Sequence, residues 1–494
     1  MSFPVFIFVV GVIHGVLIFF DSFFKSCMHH PYRAFLDGTG FTVKFLRLEW
    51  YTTALNRTLV KFSTSSPRLL SKSFDLGVYS TLLLLPASVV LLLWSFFSTW
   101  SQREDEVSSS GGGVKMEVEI LVPGVTLPLD EIHYFLVTLL VSSVIHELGH
   151  AVAAVLEDVP LLGFGVKVYY FLPVALTELN SEQLMGLRAW RKLRVLCAGV
   201  WNNLVLGIVA LLLLQTSKPL LGWMYHIDRG VYVTEIERQS PLLGVRGLQT
   251  GDFIKRINSC EVRDTDSWYS CLLEALKHQP AYCLGSEFIH RHDESTPVET
   301  VDGIPRCCDP DTAANGCFEY IGESDILEIP QHVCLPIRLA VESSIKYCSM
   351  DTKCSHNSLE GFCLKPLLSN STTILEIVRK GRNVIYMGHP GDVYRTVRVS
   401  NFIPKLRYIT PQFADSLTLF LRYLVVFSFG LVLVNVIPCY GFDGQHIAGV
   451  VLGHQLSRLG VKAQRRDLVI LLVTVFCTFL QIGLITRFLI KMLF

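Results

Sequence analysis

The stretch Val144-Ile145-His146-Glu147-Leu148-Gly149-His150 closes an apolar run that begins near Ile132, and its reading decides what kind of fold the chain adopts. On a helix, residues four apart lie one above the other, so His146 and His150 present two imidazoles to one point. Glu147 sits about 100° further round, within reach of a water held at that point without being a ligand itself. The spacing is the His-Glu-x-x-His arrangement of zinc peptidases. The bland reading is a polar helix end. Setting weighs against it, because an ionisable triplet inside an apolar span costs several kcal/mol unless it is paired or coordinated.

The same setting extends along the chain. Of 494 residues, 50% are hydrophobic and 17% charged, so the composition calls for lipid. The net charge of zero leaves no basic field for polyanions, and no nucleic-acid partner is expected. Apolar runs long enough to cross a bilayer recur at 3–20, 77–98, 132–155, 193–214, 417–438 and 467–490, which predicts a polytopic α-helical membrane protein with about six spans. The first run has neither a basic n-region nor a clear cleavage site and reads as a retained span. The Ser/Gly tract at 108–113 reads as a flexible linker.

Arg188, Arg191, Lys192 and Arg194 precede the fourth span, and Arg458, Lys462, Arg465 and Arg466 precede the sixth, so both loops are expected to be cytosolic. The segment 217–415 is then luminal. Ten of the fourteen cysteines fall between Cys260 and Cys363 without any Cys-x-x-Cys spacing, which points to a disulfide framework in an oxidising compartment. The sequon at Asn370 predicts a glycan there. A second sequon, at Asn56, lies in the basic segment 22–76, where a glycan would contradict the cytosolic side expected for it.

Between the third and fourth spans, 161–179 is apolar but interrupted by Gly163, Gly165 and Pro173. It reads as a re-entrant β-hairpin lining a cavity, with a strand edge able to capture an extended peptide.

A catalytic zinc needs a third protein ligand. Ala153 and Leu156 occupy the positions where a metzincin extension requires glycine and histidine, and Tyr170 stands where a thermolysin-type glutamate would. Glu157 and Glu178 remain open on spacing alone. A stronger candidate lies in Asn435-Val436-Ile437-Pro438-Cys439-Tyr440-Gly441-Phe442-Asp443-Gly444, where Pro438 and Gly441 break the fifth span next to a carboxylate. The alternative for Asp443 is a plain helix cap.

The ordered pair of His-Glu-x-x-His and Asn-x-x-Pro-x-x-x-x-Asp-Gly resembles the membrane-bound transcription factor site-2 protease family, of the animal-type branch. The resemblance implies one zinc ion on His146, His150 and Asp443, with Glu147 catalytic. Ala198-Gly199-Val200-Trp201-Asn202-Asn203 matches the family's Ala-Gly-Pro-x-x-Asn with valine in place of proline, and adds Asn203 as a catalytic candidate for orienting substrate or steadying an oxyanion. It further implies substrates that are transmembrane helices of type II membrane-anchored transcription factors, of sterol regulatory element-binding and stress-response bZIP type. By the same resemblance they are expected to be cut in Golgi or endoplasmic reticulum membranes after a first luminal cleavage. Rival readings are an intramembrane metal transporter, or an inactive scaffold.

Residues 230–236 alternate like a strand, and 247–258 continue the pattern of a protease-type PDZ domain, with the cysteine-rich stretch inserted and 394–399 as a returning strand. Such a module is expected to act as a size filter or to bind peptide by strand addition. The expected division is 1–131 for the N-terminal spans and linker, 132–216 for the first part of the catalytic core, 217–415 for the luminal PDZ-like module, and 416–494 for the second part of the core.

Overall fold

The computed structural model describes residues 3–101, 127–244, 246–301, 304–309, 314–321, 331–349, 354, 361–368, 372–379, 383–406 and 408–493. The Ser/Gly tract at 108–113 and Asn370 lie outside the described residues. The chain divides into two units, one formed by 1–215 with 418–494 and the other by 216–417.

In the first unit α1 (Phe3–Ser26) is followed by α2 (His30–Thr39), the strands β1 (Phe41–Lys44) and β2 (Arg47–Thr52), α3 (Asn56–Ser65) and the long α4 (Pro67–Ser101). Then come α5 (Ile132–Leu156), β3 (Leu161–Tyr169), β4 (Leu172–Leu179), α6 (Ser181–Gly186) and α7 (Ala189–Gln215). Helices Pro411–Val436, Asp443–Arg458 and Ala463–Leu493 complete the unit. Six of these helices are long and apolar enough to cross a membrane. Pro86 lies inside α4, which neighbouring membrane helices tolerate.

The hairpin expected at 161–179 is present, but not as an isolated re-entrant element. It is half of a four-stranded antiparallel sheet in the order β1-β2-β3-β4, with Glu49 opposite Lys167 and Trp50 opposite Val166. Alternation explains the missing half. Phe41, Val43, Leu48 and Trp50 share one face, while Lys44 and Arg47 flank Glu49 on the other at 2.7 and 2.9 Å. Hydrocarbon would penalise that charged face, which suits an element that lines a polar cavity. Asn56 closes the sheet: its Nδ2, the atom a glycan would need, donates to the Leu161 and Leu162 carbonyls at 3.2 and 3.3 Å.

Among the described residues the second unit holds, besides the two-stranded pairs 299–301 with 304–306 and 225–226 with 403–404, two larger β-sheets. One runs 383–388, 373–379, 253–257, 231–236, 397–400 and is covered by the helix Thr265–Lys277. The returning strand is Val397–Ser400, paired with Val231–Ile236; Tyr394 instead belongs to the helix Pro390–Thr396, because Pro390 starts a helical turn there. The cysteine-rich stretch folds into a five-stranded sheet of its own, in the order 332–336, 315–321, 361–366, 281–285, 347–348. All ten of its cysteines pair: Cys260–Cys271, Cys283–Cys354, Cys307–Cys317, Cys308–Cys334 and Cys348–Cys363. Glu376 joins the sheets, accepting from Tyr347 Oη and from Asn383 Nδ2 at 2.7 Å. Burial, together with that carboxylate, pushes the Tyr347 hydroxyl above its ordinary range.

Candidate metal centre

His146 and His150 stand on the inner face of α5, both buried. Each ring is held from behind. His150 Nδ1 donates to the Val195 carbonyl of α7 at 2.8 Å, since a carbonyl only accepts, and this leaves Nε2 with a free lone pair. His146 Nδ1 lies 3.2 Å from Asn203 Nδ2, and Asn203 is fully buried with no partner for its Oδ1.

The third group arrives across a break in the chain. The helix Pro411–Val436 stops before Pro438, Gly441 adopts φ +88°, and a new helix opens at Asp443. Gly444 lets the turn close, because a Cβ there would stand 2.3 Å from the Ile437 carbonyl oxygen. The Asp443 carboxylate does not cap its helix. Its Oδ2 lies 2.9 Å from His146 Nε2 and 3.2 Å from His150 Nε2, and the two Nε2 atoms are 3.2 Å apart.

Those three donors fit a metal. Ligand atoms about 2.0–2.1 Å from a tetrahedral zinc stand about 3.3–3.4 Å from one another, close to the triangle found here. The space is kept open by Gly199 on α7, where a Cβ would come within 2.4 Å of His150 Nε2 and 2.6 Å of His146 Nε2. Gly149 likewise lets α5 approach the α7 backbone, since a Cβ there would meet the Ala198 carbonyl oxygen at 2.6 Å.

Glu147 is half-buried one position along α5, and its backbone carbonyl accepts from Thr177 Oγ1 of β4 at 3.0 Å. The other two glutamates considered from spacing lie elsewhere. Glu157 is held by Arg191 and by Arg194 Nη1 at 2.9 Å, and Arg194 in turn grips Asp75 at 2.6 and 2.8 Å. Glu178 sits beside the Tyr51 hydroxyl. Sequence reasoning passed over Gly199 as a shaping residue, although a glycine inside a helical pattern is itself a signal of close approach. The Val195 carbonyl left no signal at all.

The sequence profile of peptidase family M50 matches residues 134–480. The chain belongs to peptidase family M50. The M50 match takes in α5, α7 and the Asp443 helix, and therefore every donor of the triangle. This M50 chain is also similar to a membrane-bound transcription factor site-2 protease homolog of Arabidopsis thaliana, with 29% identity over 146 residues. That alignment covers 30% of this chain and 28% of the relative's length.

Proposed function

We propose that the chain is an intramembrane zinc metalloprotease, with His146, His150 and Asp443 as zinc ligands and Glu147 as the proton carrier. The observation that carries this reading is the donor triangle, set in apolar helices with the half-buried Glu147 one residue along from His146. When bound, zinc supplies Lewis acidity, which polarises a carbonyl and acidifies water. Glu147 takes the proton from the attacking water and returns it to the departing amine, so that one carboxylate serves both halves of the reaction. Asn203 fits the role of positioning His146. With Nε2 turned to metal, Nδ1 carries the proton and needs an acceptor, which the unpartnered Asn203 Oδ1 provides once the amide turns over.

A helical substrate hides its carbonyls and must unwind before attack. The edge of β4 suits the unwound stretch. No strand pairs with its outer side among the described residues, and Thr177 ties it to the Glu147 turn. By the relative's name, the substrates we infer are membrane-bound transcription factors. The motif resemblance extends this inference to sterol regulatory element-binding and stress-response bZIP types, cut in Golgi or endoplasmic reticulum membranes after a first luminal cleavage. The disulfide-bonded unit 216–417 supports a luminal, PDZ-like reading with a role as a size filter.

The test is cleavage of a single-span reporter by the wild type and by Glu147→Gln, with zinc content measured in both. Lost cleavage with retained zinc is expected. Normal cleavage by the variant overturns the mechanism, and full zinc occupancy in Asp443→Ala overturns the third ligand. Zinc movement across the membrane without cleavage would favour a transporter.

A further inference from the structure

The chain before residue 134 lies outside the family match, yet β1 and β2 complete the sheet and α1 grips its tip. Along α1 the apolar side chains Phe8, Ile13 and Phe19 point outward, and among its described residues the buried ones are polar, His14 and Asp21. Asp21 is satisfied by Lys25 and Tyr32, each at 2.8 Å. His14 is spent on the hairpin. Its Nε2 donates to the Tyr170 carbonyl at 2.6 Å, which leaves Nδ1 without a partner in an apolar span.

Tyr170 and Phe171 form the turn between β3 and β4. Tyr170 adopts φ +59°, a left-handed conformation that a bulky residue rarely takes, and its hydroxyl reaches back to the Ile7 carbonyl at 2.5 Å. Its ring stacks on His14 at 5.7 Å, and Phe171 meets Phe6 edge to face at 5.4 Å. Ile7, Gly11 and His14 share one helix face. Gly11 clears the way, since a Cβ there would stand 3.1 Å from the Tyr170 hydroxyl. A left-handed tyrosine and an unpaired ring nitrogen both cost stability, and they persist where surrounding contacts impose them.

At its other side the hairpin is tied to the metal helix. Ala175 N–H donates to Ser143 Oγ at 2.8 Å, and Thr177 Oγ1 to the Glu147 carbonyl at 3.0 Å. The hairpin is thus a bar fixed at its tip by α1 and along β4 by α5.

We propose that His14 and Tyr170 form a latch through which α1 sets the position of β4, and with it the register in which an extended peptide paired to β4 passes Glu147. Both are positioning residues. The proposal rests on the hydrolytic reading above for its effect on substrate, but the latch itself does not.

The experiment uses the full chain in lipid vesicles with a single-span reporter, and the cut products are sequenced by mass. In His14→Leu the cut spreads from its normal bond to neighbouring bonds and kcat/KM falls about tenfold, the effect of one lost hydrogen bond, with zinc content unchanged. His14→Gln keeps a donor and restores the single cut. Tyr170→Phe scatters the cut as His14→Leu does. A His14→Leu enzyme that cuts the same bond at the same rate overturns the proposal. Amide exchange over 163–178, which needs no catalysis, accelerates in His14→Leu, and unchanged exchange overturns the latch. A wild type that leaves the reporter intact counts against hydrolysis, while exchange still decides the latch.

Discussion

Gly199 faces His150 so closely that a Cβ on the glycine would stand 2.4 Å from the His150 Nε2. That Cβ would occupy the space into which both imidazoles and Asp443 point, and both neighbours are buried rings held from behind by Val195 and Asn203. In Gly199→Ala, zinc content is expected to fall about tenfold or more, as loss of ligand geometry does, while the protein still inserts in membranes. Metal analysis of the purified variant checks this, and normal zinc content would remove the donor triangle as the site.

Asn203 reports on the second layer of the site. If its amide oxygen receives the His146 Nδ1 proton, Asn203→Leu weakens zinc binding about 10–100-fold, whereas Asn203→Asp keeps an acceptor and retains it. Competition with a chromogenic chelator measures both. Equal affinities in the two variants would return Asn203 to a role on the substrate alone.

Much of this architecture was legible because hydrophobic runs of span length and the offset of four between His146 and His150 are local signals. Asp443 was readable only through the Pro438 and Gly441 break, and its meeting with the histidines is a contact across almost 300 residues, 297 to His146. Strands β1 and β2 escaped notice because residues 41–52 mix charge with aromatics, and the strand that joins their hairpin to the sheet, β3 beside β2, lies more than 100 positions away. The same applies to the insert sheet, where turn-rich composition and crowded cysteines masked short strands whose order is set by distant pairing. Tyr170 stands in sequence where a thermolysin-type glutamate would, and no pattern connects it to His14.

Glu157 is 5% exposed and carries Arg191 and Arg194, which link the end of α5 to α7 and, through Asp75, to α4. Removing Glu157 leaves Arg191, 41% exposed, to water and Arg194 still paired with Asp75, so Glu157→Ala is expected to lower stability by only about 1–2 kcal/mol, mostly the loss of the hydrogen bonds to its buried carboxylate. Zinc affinity of the folded fraction stays at the wild-type level, because the carboxylate is no ligand. Unfolding in mixed micelles followed by zinc titration separates the two. Loss of zinc with unchanged stability would restore Glu157 as a ligand candidate.

Asp264 gives the second unit a pH dependence whose sign is fixed by its cap. It accepts from the Ser267 N–H at 2.8 Å while Ser267 Oγ accepts from the Asp264 N–H at 2.8 Å, closing the first turn of the helix 265–277. The backbone hydrogen bond from Ser267, followed by its hydroxyl, holds the carboxyl below the usual carboxylate value. A depressed folded pKa means that the ionised cap contributes in full above the unfolded pKa of about 3.9 and is lost as pH falls through the lower folded value. Asp264→Ala therefore costs about 0.5–2 kcal/mol at neutral pH, and its deficit against wild type shrinks below about pH 4. Asp264→Asn keeps the cap bond but carries no charge, so its own contribution stays flat across that window. Amide exchange of residues 265–269 in the full chain, compared at neutral and acid pH, reads the difference directly. An Asp264→Ala deficit that is the same at both pH values would mean that the carboxylate charge plays no part in the cap.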